Sequence, residues 1–276
     1  MIEPNTLFKP ITATPNRNSV DYVEIEPCDA LKPYIRCFWG TPCLSHASAE
    51  KDSSPGVVIP DTCMDIIFTF DYVTNMVSCK FCGINDTSFL TESSTGLKSI
   101  FGVRFYFWAV HLFVNRGLND VCNTITDVER YFPDYKNNLE GVLIHYSRIV
   151  DRIPHAEDYL LKKLNDNFHP NNNILNAVFS IVNLKGVVSV PQVCKYSGIS
   201  KRKLERIFSE YIGVSPKKAA DLVRYQCVWR DIFFTISPDY HDIVYQYGYT
   251  DQAHLLNNFR KYHGMSPNKA LTLANK

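Results

Sequence analysis

No stretch of the 276-residue chain keeps apolar character for the ~18 residues that a bilayer-spanning helix needs, so a soluble, globular protein is expected. The first residues, with Glu3, Pro4, Asn5 and Lys9, do not follow the basic-then-apolar layout of a secretory leader. Nine cysteines, an odd number without such a leader, point to reduced thiols and a cytoplasmic location. Cys79-Lys80-Phe81-Cys82 is a solitary C-x-x-C, because Cys28, Cys37, Cys43 and Cys63 form no second tight pair that would complete a zinc site. Glycine-rich phosphate loops, Gly-x-Ser-x-Gly and His-Glu-x-x-His are all missing, and the eight histidines are scattered. No enzyme, metal or cofactor is expected.

Net charge is also nearly absent, at +1, but that value conceals an asymmetry. From residue 170 onward 14 Lys+Arg face 7 Asp+Glu, whereas residues 1–169 hold 15 against 21. A basic C-terminal third beside an acidic remainder suits a nucleic-acid-binding domain joined to a domain with another task. The length fits two domains, each able to bury a core.

The basic third carries one pattern twice. Gly198-Ile199-Ser200 leads to Leu204, Phe208, Gly213, Ser215-Pro216 and Ala219; Gly248-Tyr249-Thr250 leads to Leu255, Phe259, Gly264, Ser266-Pro267 and Ala270. Phe, Gly, Pro and Ala recur at an offset of 51 residues, so one structural module is used twice. Asn171 to Asn173 offer N-caps for a helix burying Ile174, Leu175, Val178, Ile181 and Val182, which Lys185-Gly186 closes. Ser189 caps a short helix with Pro191 in its first turn, and Gly198 turns the chain. Ser200 then caps a helix with Leu204, Ile207 and Phe208 inward and Lys201, Arg202, Lys203 and Arg206 outward. This is the layout of a recognition helix, in which Arg grips guanine edges and Lys neutralises phosphate. Ser215-Pro216 starts a connector reaching roughly Phe233, and Asp239 or Ser237 opens the second unit, where Thr250 caps a helix through Tyr262.

These residues resemble the DNA-binding domain of the AraC/XylS family of transcription regulators, over roughly 168–274. The Gly-to-Phe spacing of ten residues in the first unit and eleven in the second matches the family, as does the run from Gly248-Tyr249-Thr250-Asp251-Gln252 to Met265-Ser266-Pro267. The resemblance implies base-facing positions at Arg202, Glu205 and Arg206, and at Gln252, Ala253, His254, Leu256 and Asn257. Glu205 is open to two readings, acceptor for cytosine N4 or ion-pair partner of Arg202 or Arg206; His254 is either reader or structural partner. Leu255, Leu256 and Asn257 depart from the commonest family residues, so the second helix is expected to discriminate bases less and anchor phosphate more. Double-stranded DNA is the implied partner, with RNA polymerase for an activator.

In the N-terminal half, Val57-Val58-Ile59 and Ile66-Ile67-Phe68 read as buried strands separated by Pro60-Asp61. Ile100 to Tyr106 alternates, with Phe101, Val103 and Phe105 on one face and Gly102, Arg104 and Tyr106 on the other. From Ala109 to about Asn167 the spacing turns helical, with a stripe from Leu139 to Ile153 and an interruption at Pro154. Residues 22–165 resemble an uncharacterised β-rich sensor domain of some AraC-type regulators. That resemblance implies a cupin-like barrel followed by helices that could pair two copies in a homodimer. A pocket for a small-molecule effector would draw on Trp39, Asp61, Asp65, Arg104 and Tyr106. The expected fold is therefore α+β: residues 1–165 for sensing or dimerisation, residues 168–274 all-α with two helix-turn-helix units. Two alternatives stand beside a ligand-controlled regulator. One is a zinc-thiolate methyl acceptor for alkylation repair fused to the same DNA-binding module, which the missing cysteine pair opposes. The other is a constitutive regulator without a ligand.

Overall fold

The computed structural model describes residues 3–16, 22–42, 56–91, 97–167 and 171–275. Cys43 and residues 168–170, where the sequence divides the two halves, lie outside them. Among the described residues of the N-terminal half there are eight strands: β1 (Val23–Ile25), β2 (Ile35–Gly40), β3 (Val57–Val58), β4 (Cys63–Asp71), β5 (Met76–Cys82), β6 (Phe89–Leu90), β7 (Lys98–Tyr106) and β8 (Ile125–Asp127). Six form an antiparallel sheet in the order β1-β2-β7-β4-β5-β8, while β3 and β6 pair separately. The expected alternation sets the register. Ile66 lies opposite Val103 and Phe68 opposite Phe101 on one face, and Asp65 lies opposite Arg104 on the other. The apolar face is packed beneath helices; the polar face carries the candidate cleft.

A closed, cupin-like barrel is not formed. Among the described residues the edge strands β1 and β8 do not pair with each other, so the sheet stays open. Closure needs edge strands long enough to bond across the staggered seam. Here the two edges are three residues each, and β3 and β6 two each.

Residues 109–135 also differ from the helical expectation, with 3-10 turns at Val110–Leu112 and Val128–Arg130 flanking β8. Regular helix begins only after a π-helical turn at Lys136–Glu140, with α2 (Gly141–His145) and α3 (Ile149–Asn167). Apolar spacing alone does not distinguish these turns from helix, since each buries the same face. Pro154 stands inside α3 instead of interrupting it, and the break falls between His145 and Ile149. As the sixth residue of α3, in its second turn, Pro154 forfeits one i→i−4 bond without ending the helix. Within the apolar stripe hides a fully buried cation. Arg152 donates from Nε to Tyr146 O (2.7 Å) and from Nη1 to Ser99 Oγ (2.7 Å), tying α3 to β7, with its guanidinium over the Phe68 ring.

The C-terminal region is all helical: α4 (Asn172–Asn183), α5 (Val190–Ser197), α6 (Lys201–Ile212), α7 (Pro216–Phe234), α8 (Tyr240–Gln246), α9 (Gln252–His263) and α10 (Pro267–Ala274). Asn171, Ser189, Ser200, Ser215 and Asp239 cap them as the sequence indicates, Ser189 through a reciprocal bond pair with Gln192. The cap of α9 is Asp251 rather than Thr250: its carboxylate accepts from His254 N at 2.7 Å. Carboxylate and hydroxyl compete here, and the charged acceptor sits at the positive end of the helix.

Buried apolar residues form one continuous cluster running from the sheet into the helical region. The chain start contributes to it. A short helix, α1 (Pro4–Leu7), leads into a segment that lies along α7. Gln226 accepts Ile11 N at 2.8 Å and donates to Ile11 O and Pro60 O, and Trp229 Nε1 donates to Thr12 O at 3.0 Å.

Candidate nucleic-acid interface

Each recognition helix is assembled in the same way. A turn with positive φ at Gly198 (+69°) or Gly248 (+62°) swings the chain sharply after α5 or α8. An oxygen-bearing cap then starts the helix, and one buried stripe seats it: Leu204, Ile207, Phe208 and Ile212 in α6; Leu255, Phe259, Tyr262 and His263 in α9. The remaining face is turned outward. Lys201, Arg202, Lys203, Arg206, Gln252, Ala253, His254 and Asn257 are exposed, with Glu205 and Leu256 half-buried.

Two of these side chains have partners. Arg206 pairs with Glu210 one turn on (3.0 Å), so the ion-pair partner is Glu210 and not Glu205. That surface pair is worth about 0.2–1 kcal/mol and is cheaply exchanged for a base or a phosphate. Among the described residues Glu205 makes no ion pair, which leaves its carboxylate available as an acceptor. His254 has structural partners: Thr250 N donates to its Nδ1 (3.4 Å), Thr250 Oγ1 lies 3.0 Å away, and the Tyr249 ring meets it edge-on. With Nδ1 accepting, a neutral ring carries its proton on Nε2. Behind α9, His263 is buried with Nδ1 at 2.9 Å from Tyr225 Oη and its ring stacked on Phe259. Burial pushes His263 down to about 4.

On the polar face of the sheet, four of the five candidate cleft residues come together. Gly102 has no Cβ, and one placed there would fall 2.1 Å from the Trp39 indole, so the ring lies flat across β7. That orientation sends Trp39 Nε1 to Asp65 Oδ1 at 2.7 Å. Arg104 pairs with the same oxygen (3.0 Å), with Asp61 (3.5 Å) and with Glu24 (3.6 Å). The fifth residue, Tyr106, is buried and stacked on Trp108. Burial raises the Asp65 carboxyl to about 6, opposed by the Arg104 charge. A cavity of about 360 Å³ opens beside this cluster, lined by Tyr22, Glu24, Arg36, Arg104, the segment from Pro10 to Asn16 and Phe234 of α7. Glu24, Tyr22 and Arg36 escaped sequence reasoning; only strand pairing brings β1 and β2 beside Arg104.

Cys79 and Cys82 are free thiols held in their protonated form by burial. Among the described residues no group of three His, Cys, Asp or Glu could hold a metal ion. Among the described residues no helix is long and apolar enough to cross a membrane.

Two capped helices, each presented by a preceding short helix and a tight turn, define a DNA-binding protein with tandem helix-turn-helix units. Comparison with known families agrees. Residues 193–272 match the family described as a helix-turn-helix domain, and residues 23–127 match a domain of unknown function, DUF6597. The chain thus joins a helix-turn-helix domain, in the region that resembles AraC-type transcription regulators, to an uncharacterised β-rich domain. No curated protein matches it. Among solved structures, an AraC-type DNA-binding domain regulator from Chromobacterium violaceum is similar at 23% identity, covering 35% of this chain and 89% of its own, with a TM-score of 0.32. ToxT from Vibrio cholerae O395 is similar at 12% identity over 92% of this chain and 96% of its own (TM-score 0.40). ToxT bound to (E)-4-(8-methylnaphthalen-1-yl)but-3-enoic acid is similar at 14% identity over 80% and 93% (TM-score 0.41).

Proposed function

We propose that α6 and α9 enter consecutive major grooves on one side of duplex DNA and read its sequence, residues 168–274 forming the DNA-binding domain and residues 1–165 the controlling one. One observation carries this reading: two recognition helices with exposed N-terminal halves flank the single 19-residue helix α7. At ~1.5 Å per residue α7 spans about 28 Å, comparable to the ~34 Å between successive groove faces. Arg202, Glu205 and Arg206 face bases from the first helix, and Gln252, Ala253, His254, Leu256 and Asn257 from the second, while Lys201 and Lys203 neutralise phosphate. Selection of bound duplexes from a random pool is expected to return two conserved blocks about one helical turn apart. A single block would remove the reading.

The polar cleft is the control site we favour, with Arg104 facing a small-molecule effector and Trp39, Asp61 and Asp65 holding its guanidinium in place. The favouring observation is the turn at Pro60-Asp61-Thr62. Asp61 reaches Arg104, Pro60 O accepts Gln226 of α7, and Thr62 between them has φ +62°, which a β-branched residue seldom adopts. A ligand that repositions Arg104 thereby moves a strained turn bonded to the connector. Compounds from cell extract that raise the Tm of the full chain, with no effect on Arg104→Met, would support the site; an equal shift in both would remove it. Activation through RNA polymerase, and pairing into a homodimer, are the modes that the AraC-type family favours.

A further inference from the structure

The two glycines that end the recognition helices occupy equivalent places in the repeat, and both meet the N-terminal domain. Gly213 (φ +84°) closes α6, and a Cβ there would lie 2.4 Å from Val121 Cγ2 and 2.6 Å from Leu118 O. Leu118 N donates to Glu210 O in the last turn of the same helix, at 2.7 Å. Gly264 (φ +77°) closes α9, and a Cβ there would lie 2.5 Å from Ser88 Oγ. A positive φ already favours glycine at a helix end. It does not require a second domain to approach the missing side chain, and that approach occurs at both turns.

The two loops that make these contacts are stitched into one body. Asn123 Oδ1 accepts Asp86 N (2.9 Å), and Asn123 Nδ2 donates to Asp86 Oδ1 (2.8 Å). Asn123 N donates to Ile84 O and Gly83 N to Thr124 O, both at 2.9 Å. Asp86 also reaches out of this body: its Oδ2 lies 2.5 Å from Lys218 Nζ, in the first turn of α7. A single surface thus grips the end of α6, the start of α7 and the end of α9.

We propose that this paired-loop surface is a clamp that sets the separation and angle of the two recognition helices, with Asp86, Ser88, Leu118 and Asn123 as positioning residues that never touch DNA. The inference rests on α6 and α9 reading two blocks of one site. Helix α7 carries both units, the second seated on it through Tyr225 Oη at 2.9 Å from His263 Nδ1, through Trp229 beside Phe259 and His263, and through Asp231, which accepts from Tyr247 Oη at 2.7 Å. The clamp ties the far ends of both recognition helices to one further body, so the N-terminal domain dictates which half-site spacing is bound.

The test uses the full chain and the duplex it selects from a random pool, with two derivatives: one with two base pairs inserted between the blocks, one with the second block scrambled. For the unaltered protein the insertion is expected to weaken binding at least tenfold. Asp86→Ala removes the Lys218 tie, and Ser88→Trp forces bulk against Gly264. In each variant the penalty for insertion is expected to fall below threefold, while affinity for the scrambled duplex, which needs only α6, stays within twofold of the unaltered protein. That retained affinity reports an intact first unit even if one variant perturbs the fold. If both variants keep the tenfold penalty, or increase it, the clamp is overturned while two-block reading stands. If the selected duplex contains only one block, two-block reading fails and the clamp fails with it.

Discussion

Arg104 shows how much one side chain can hold in place. Three carboxylates converge on it within 3.6 Å, and the Asp65 carboxylate is further bonded by Trp39. Removing the guanidinium leaves buried negative charge uncompensated, a change that typically costs about 3–5 kcal/mol. Arg104→Ala should therefore lower the urea midpoint sharply, whereas Arg104→Ala with Asp65→Asn should recover part of the loss; no recovery would contradict the charge argument. On the DNA side, Arg202→Ala and Arg206→Ala should each lose about 1–3 kcal/mol of binding and relax preference at one base position. Unchanged preference in both would remove them as readers. Histidine supplies a pH dependence whose sign follows from burial. His111, against Tyr211, and His263 are both pushed down to about 4 by desolvation. An unfolded histidine titrates near 6.5, so between pH 6.5 and 4 the unfolded chain binds more protons. Stability is thus complete above pH 6.5 and is lost as pH falls through that window, by up to about 3 kcal/mol per residue. His263→Phe should narrow the Tm difference between pH 7 and pH 5, and an unchanged difference would refute the assignment.

Among the secondary elements, the caps divide the helices into two groups. Ser200 and Ser215 accept backbone N–H bonds from Lys203 and Lys218, but Ser266, at the equivalent position before α10, makes no side-chain cap bond. Ser200→Ala and Ser215→Ala should each cost about 1 kcal/mol, and Ser266→Ala less than about 0.5 kcal/mol. Equal losses in urea denaturation would show that the hydroxyl bond is not the cause. Elements with strong local signals were readable in advance. Ser189-Val190-Pro191-Gln192 announces a capped helix, and Phe101, Val103 and Phe105 announce a half-buried strand, because caps and alternation act within a few residues. The 3-10 turns after β7, β8 and the π-helical turn before α2 were not readable. Their bounds depend on what packs against them, and apolar spacing is nearly the same for each.

For the whole molecule, the charge asymmetry recorded in the composition becomes an expectation about binding. DNA association should weaken steeply with added salt as phosphate contacts release counterions. Charge reversal at Lys201 and Lys203 should flatten that slope; an unaltered slope would mean that phosphate is met elsewhere. The tandem units, their caps, the outward face of Lys201 to Arg206 and the placing of Arg104 on the polar face of its strand were all available from residue order, since each depends on neighbours close along the chain or on one strand's alternation. Which carboxylates meet Arg104, whether the sheet closes, and where Ile11, Asp86, Ser88 and Leu118 land on the helical region required the folded chain. Those contacts join residues up to 215 positions apart. Local rules of propensity and spacing act over a turn or a strand, whereas docking between distant segments is chosen by the shape each presents after folding.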